Sequence, residues 1–255
     1  MSVNSTSISS FFKILISVLF SIFLSILLCE FILRVKHKFL INYDIEMWKY
    51  AKKLKVKSSN PKINHTHKKN SSANLQEVLI KINNIGQRDD NLNKGDLKNF
   101  DRSFIVLGSS VALGWGVEQE KTFTSELNNI SKKNNKNWKF VNGGIGNYNT
   151  ERYVNNFLEN WSDNKFTDII IHFFVNDTEV SFINNPNFFV KNTHFGVVIW
   201  KLFNSYKSSF KKEKLVDYYK KKYEDDFVGV EVAKKELSRL MDYCEKNNVD
   251  CHLIM

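Results

Sequence analysis

Two adjacent serines, Ser109 and Ser110, follow the apolar run Phe104 to Gly108 in the stretch FIVLGSSVALGWGV. A serine hydroxyl becomes a nucleophile only where it stands free at the edge of an element, with a base beside it and N–H donors aimed at the developing oxyanion. The turn after a buried strand offers that position, although a serine there also serves as an ordinary helix cap. Two further turns follow strand-like runs. Asn142 to Thr150, NGGIGNYNT, is a glycine-rich turn after a short strand, and Val175-Asn176-Asp177 closes the apolar run DIIIHFF from Asp168 to Phe174. Asparagine tolerates left-handed backbone, so Asn147 suits such a turn; Asn176 at a strand end is otherwise simply a turn former.

The order and spacing of these three stretches resemble the SGNH (GDSL-type) hydrolases. Gly108, Ser109, Ser110, Gly114 and Gly116-Val117 are similar to the first signature block of that family, with Ser110 in the nucleophile position and Ser109 where an aspartate is usual. The resemblance implies that the glycine-rich turn supplies a backbone N–H to the oxyanion, which falls on Asn147 beside Gly146. It also implies that the Asn176 amide is a further donor, with Phe174 replacing the family's glycine and narrowing the pocket. Asn83 to Arg88, NNIGQR, is similar to a turn that precedes the nucleophile strand in membrane-anchored members, where its role is structural. The fold so implied is α/β, a flavodoxin-like three-layer α/β/α domain with a mostly parallel sheet. The activity implied is hydrolysis of carboxylic esters through an acyl-enzyme on Ser110, with no metal or organic cofactor required.

Other chemistries fit less well. Gly144-Ile145-Gly146 lacks the third glycine of a dinucleotide fingerprint, since Asn149 stands there. His65 and His67 share one face of an extended segment, but no third ligand lies near and Lys68-Lys69 repel a cation, so no metal site is expected. His172 reads as a core or sheet-edge histidine. A formal charge of +10 comes from lysines scattered among asparagines rather than from a basic face interleaved with aromatics, which argues against nucleic acid. Cys29, Cys244 and Cys251 give no metal spacing and no disulfide framework, and leave the redox compartment open.

The elements that must position the serines can be read from pattern. Strands are expected at 104–108, 138–142, 168–174 and 251–255, with helices at 122–130, behind a Thr cap, and at 151–161. Ala233, Leu237, Leu240, Met241 and Cys244 recur at helical spacing, which predicts an amphipathic helix. Phe195 to Tyr206 is apolar enough for a buried helix or a lid over the site. Lys207 to Lys222 reads as a solvated helix face.

Ahead of all this, Ile14 to Leu33 is apolar apart from Glu30 and long enough to cross a bilayer. The run exceeds a signal-peptide core and no small-x-small site follows, so a single-pass anchor is expected. Arg34, Lys36 and Lys38 after the run, against Lys13 before it, place the large domain in the cytoplasm by the positive-inside rule. The resemblance implies the opposite side. The division expected is 1–38 anchor, 39–100 a connector packing on the domain, and 101–255 the hydrolase-like domain. In the family the base lies in an Asp-x-x-His motif after the fourth strand, and no such motif occurs here. The chain is therefore expected to be a fragment or to have lost its base, with His194 as the candidate substitute. Two other activities remain open: a polysaccharide O-acyltransferase, and a non-catalytic tethered carbohydrate-binding or assembly module. The partners expected are an ester-bearing small molecule or glycan and the membrane.

Overall fold

Alternating short apolar runs and amphipathic segments build a parallel sheet here, because each run can be buried only if a helix crosses over to the next. The computed structural model describes residues 5–93, 95–180, 187–209, 215–224 and 227–255. Helix α1 (Ser5–Phe39) and helix α2 (Tyr43–Leu54) lead into two antiparallel pairs, β1 (Lys55–Lys57) with β2 (His65–His67) and β3 (Ser71–Leu75) with β4 (Val78–Ile82). Then come β5 (Arg102–Gly108), α3 (Ser110–Leu113), α4 (Phe123–Lys133), β6 (Trp138–Gly144), α5 (Thr150–Asn160) and β7 (Asp168–His172). The chain continues through α6 (Phe188–Asn192), α7 (His194–Ser209), α8 (Leu215–Lys221), α9 (Val228–Asn247) and β8 (Asp250–Ile254). By packing, these residues divide into two compact units, one within 1–48 and 185–211, the other within 49–184 and 212–255.

In the larger unit the sheet order is β6-β5-β7-β8 and every pairing is parallel. Ile105, Leu107, Val141, Ile169 and Ile171 point to one face, onto Tyr153, Val154 and Phe157 of α5 and Leu240 and Cys244 of α9. Phe104, Val106, Phe140 and Ile170 point to the other, onto Ala112 of α3 and Leu127 of α4, with the Phe104 and Phe140 rings stacked at 4.3 Å. The domain is therefore the expected three-layer α/β/α arrangement. Each fully buried Leu, Ile or Phe contributes roughly 1.5–3 kcal/mol by leaving water. Thr122 caps α4 by accepting from the Ser125 amide, and Asn149 caps α5 by accepting from that of Arg152 at 3.1 Å.

Several expectations need correction. β7 stops at His172 rather than Phe174, because Phe174 turns outward and is exposed. On α9 Met241 is exposed, since it follows the buried Leu240 by one residue and so lies about 100° round the helix. Cys244 and Cys251 form a disulfide, Cα–Cα 6.4 Å, which their spacing did not suggest. The reason is Asn248, whose φ of 53° ends α9 and turns the chain back so that β8 runs beside the helix. The stretch 210–214, within the lysine-rich segment, lies outside the described residues.

In the smaller unit, α1 includes Ser10–Phe39, long and apolar enough to cross a membrane. Glu30 accepts hydrogen bonds from the backbone amides of His194 (3.1 Å) and Phe195 (2.8 Å), and pairs with Arg34. It thus caps the start of α7. His37 and Glu46 form a buried pair at 2.7 Å, and the His194 ring lies 5.5 Å from those of His37 and Trp48. Helix α7 is not buried, contrary to one of the two readings of its sequence: Ile199, Trp200, Leu202, Phe203 and Tyr206 are exposed.

Candidate active site

At the end of β5 the backbone has no room for a side chain. A Cβ on Gly108 would lie 2.9 Å from that of Ala112 and 3.0 Å from the His172 carbonyl oxygen. The chain then turns through Ser109, at φ −90° and ψ −149°, and Ser110 opens the four-residue helix α3. Gly114, at φ 77°, ends that helix in a left-handed conformation that favours glycine. Ser110 is half-buried, and its hydroxyl makes no hydrogen bond among the described residues. The Ser109 hydroxyl is buried and has no partner among the described residues, so it does not brace the turn.

Arg88 supplies the bracing instead. Its guanidinium is fully buried and donates to the carbonyls of Leu113 (2.9 Å), Gly114 and Val117 (2.6 Å), and to Gln119 Oε1 (3.1 Å). Burial lowers its pKa to about 10, which leaves it charged at neutral pH. The turn that carries it is fastened by Asn83, whose Oδ1 accepts from the amides of Ile85 (3.0 Å) and Gln87 (2.8 Å).

Beyond β6 the glycines allow close packing. A Cβ on Gly144 would sit 2.2 Å from the Leu113 amide nitrogen, so only glycine lets α3 approach the strand. At the following turn Asn147 is exposed and has φ 66°. The carbonyl of Gly146 accepts from Lys55 Nζ (2.7 Å) and from His65 Nε2 (3.1 Å), and Arg152 donates to the carbonyl of Asn147. In a trans peptide the C=O and the next N–H point in opposite directions. Holding the Gly146 oxygen against Lys55 and His65 therefore turns the Asn147 N–H away from them.

A second chain of contacts fixes the other side of Gly146. Its amide donates to Tyr50 Oη at 2.9 Å, Tyr50 Oη lies 2.6 Å from His67 Nε2, and His67 Nδ1 lies 3.2 Å from the Gly86 carbonyl oxygen. Burial lowers His67 to about 3, so the ring is neutral. The consistent proton arrangement has Nδ1–H donating to Gly86 and Nε2 accepting from the Tyr50 hydroxyl. Burial lowers His65 as well, and brings the Lys55 ammonium down to about 7. Neither imidazole of the His65-Thr66-His67 segment is arranged as part of a metal-ligand cluster among the described residues. Tyr50 and Lys55 had no signal in the sequence.

After β7 the turn is closed by the Asp177 amide donating to the Phe174 carbonyl at 2.9 Å. Asn176 is half-buried, with a buried Oδ1 that has no partner among the described residues. Asp177 is buried, and its Oδ2 lies 3.1 Å from Tyr153 Oη. Burial pushes its carboxyl up to about 7. Phe174 is exposed and stacks on His172, their ring centroids 6.4 Å apart.

Register relates the three stretches. Gly108 of β5 pairs with Gly144 of β6 and with His172 of β7. Neighbouring strands lie about 4.8 Å apart, so the three ends followed by Ser110, Asn147 and Asn176 span about 10 Å. The opposite edge of the sheet carries an Asp–His contact, Asp168 with His252 at 2.9 Å, joined by Arg102. Asp168 pairs with Phe104, at the far end of β5 from Ser110, so this contact belongs to the amino-terminal edge. His194 lies in the smaller unit, beside His37 and Trp48.

No family model matches the sequence, and no curated protein matches it. Among solved structures the chain is similar to the crystal structure of TesA, at 9% identity over 59% of this chain and 77% of that one, with a TM-score of 0.31. It is also similar to the psychrotrophic esterase EstA from Pseudoalteromonas sp., at 14% identity over 60% and 78%, TM-score 0.31. A third, described as a lipolytic protein of the G-D-S-L family from Desulfitobacterium hafniense, gives 13% identity over 60% and 77%, TM-score 0.26.

Proposed function

We propose that the chain is a membrane-anchored serine esterase of the SGNH (GDSL-type) kind, with Ser110 as nucleophile and α1 as a single-pass anchor. The observation that carries the reading is that Ser110, Asn147 and Asn176 each follow the carboxyl end of one of three neighbouring strands, where sites of open parallel sheets form. In this reading Ser110 Oγ loses its proton to a base as it bonds to the ester carbonyl carbon. The N–H of Ser110, the N–H of Asn147 and the amide of Asn176 hold the oxyanion, each contributing roughly 3 kcal/mol. The ester C–O bond then breaks, the alcohol leaves with a proton, and water releases the acid. Transfer to a polysaccharide hydroxyl in place of water would make the same site an O-acyltransferase. The substrate class is an ester-bearing small molecule or glycan.

A second reading, a tethered carbohydrate-binding or assembly module, is favoured by one observation: the Ser110 hydroxyl has no hydrogen-bond acceptor among the described residues. A fluorophosphonate probe separates the two. The esterase reading expects covalent labelling at Ser110 that disappears in Ser110→Ala; a folded, membrane-bound chain that stays unlabelled supports the binding module. The side of the membrane is proposed from the Cys244–Cys251 disulfide, which persists in oxidising compartments and so favours an extracytoplasmic domain over the positive-inside count.

A further inference from the structure

Isolated apolar side chains on a surface need no explanation, but an ordered stripe of them does. On α7, Ile199, Leu202, Phe203 and Tyr206 recur at the spacing of one helical face, and all are exposed, with Trp200 exposed beside them. At the amino-terminal end of the same helix Gly196 and Val197 are buried, and Phe195, four residues before Ile199 and on the same face as the stripe, lines a groove with Ser25, Ile26 and Cys29 of α1. A Cβ on Gly196 would lie 2.5 Å from the Phe189 carbonyl oxygen, so α6 and α7 form a tight corner.

The height of this corner along α1 is fixed by Glu30. Its carboxylate caps the first turn of α7 through the His194 and Phe195 amides, and Glu30 lies just inside the end of the apolar run that closes at Leu33. At a rise of 1.5 Å per residue, the start of α7 is held about 5 Å inside that end. This is the depth at which amphipathic helices lie in a bilayer, their apolar face about 5–10 Å into the boundary between headgroups and acyl chains. Lysines at Lys201 and Lys207 and aromatic rings at Trp200 and Tyr206 are the residue types found at that boundary.

We propose that α7 lies in the membrane interface beside α1, with Ile199, Leu202, Phe203 and Tyr206 immersed in phospholipid. The chain would then hold the bilayer through two elements, one crossing it and one lying in its surface. The inference rests on α1 as a membrane span and is independent of the chemistry at Ser110.

The test uses the full chain in phosphatidylcholine–phosphatidylglycerol vesicles, with Cys29→Ser as background and one environment-sensitive fluorophore on Leu202→Cys. The same label on Phe20→Cys is the lipid reference and on Lys133→Cys the water reference. Quenching by nitroxide-bearing lipid is compared with quenching by iodide. At Leu202→Cys, lipid quenching comparable to that at Phe20→Cys is expected, with iodide quenching at least about threefold weaker than at Lys133→Cys. Iodide access equal to that at Lys133→Cys overturns the proposal. Shielding from both quenchers also overturns it, since protein, such as a second copy of the chain, would then cover the stripe. If Phe20→Cys itself escapes lipid quenching, the anchor reading fails and the α7 proposal falls with it.

Discussion

Lys55 Nζ lies 2.7 Å from the carbonyl oxygen of Gly146, and that contact sets the direction of the next peptide N–H. A donor aimed at an oxyanion is useful only if it is already pointing there when charge develops, because reorientation during the reaction would cost the energy it is meant to supply. If Asn147 is the donor proposed above, Lys55 and His65 act as positioning residues for its N–H. Lys55→Met is expected to lower the rate of fluorophosphonate labelling at Ser110 about threefold to tenfold. Lys55→Met combined with His65→Phe should lower it about 10²-fold, the loss of one whole donor. Both variants should keep substrate KM nearly unchanged, since a purely structural role would disturb binding and folding together. Unchanged labelling in the double variant removes the positioning role.

Asn176→Ala tests the donor on the neighbouring strand end. It should cut turnover or labelling by about 10²- to 10³-fold with little change in thermal unfolding, since the Asn176 amide oxygen has no partner to lose among the described residues. Turnover near that of the unaltered protein excludes Asn176 from the oxyanion hole.

Arg88 makes a stability prediction. Replacing it with Met removes the guanidinium donor from the buried carbonyls of Leu113 and Gly114, as well as from the half-buried contact with Val117, and each buried loss costs about 1–3 kcal/mol. The expected result is a destabilisation of roughly 3 kcal/mol or more in denaturant unfolding, together with loss of labelling at Ser110. A variant that unfolds at the same denaturant concentration shows that the loop holds itself.

What could be read in the sequence was local. The strand cores at 104–108 and 138–142, the Thr122 cap and the left-handed Asn147 all follow from neighbouring residues, so pattern was enough. The clamp on Gly146 was not legible, because Tyr50 and Lys55 lie in a polar lysine-rich segment far earlier in the chain and only tertiary folding brings them to the turn. Apolar composition at 195–206 could not distinguish a helix buried in protein from one with an apolar face outside it. The Cys244–Cys251 pair depended on a reversal at Asn248 that spacing does not encode.

That pair gives a prediction about compartment. Alkylation of intact cells followed by mass analysis should find Cys244 and Cys251 unmodified until a reductant is added. Modification without reductant shows that the thiols are free, and the argument for an extracytoplasmic domain from the disulfide then fails.

Asp177 makes stability depend on pH, with a sign that can be worked out. Its carboxyl is raised by burial from 3.8 to about 7, while in the unfolded chain it titrates near the lower value. Between those values the folded state holds a proton that the unfolded state has released, so unfolding is accompanied by proton release and becomes easier as pH rises. The stability is fully present below about pH 4, declines through the interval and levels off above about 7. The full shift corresponds to about 4 kcal/mol as an upper figure. Asp177→Asn has no proton to lose, so the difference in unfolding free energy between the native chain and this variant should fall by up to that amount from pH 4 to pH 8. Tyr153 opposes the rise by hydrogen-bonding the carboxylate, and Tyr153→Phe should move the midpoint of the decline to higher pH. Denaturant unfolding of the three proteins in detergent at several pH values measures both effects. Parallel stability curves for the native chain and Asp177→Asn show that the carboxyl titrates alike in the folded and unfolded chain. In that case Asp177 reaches water or a cation, and the turn after β7 is open to solvent.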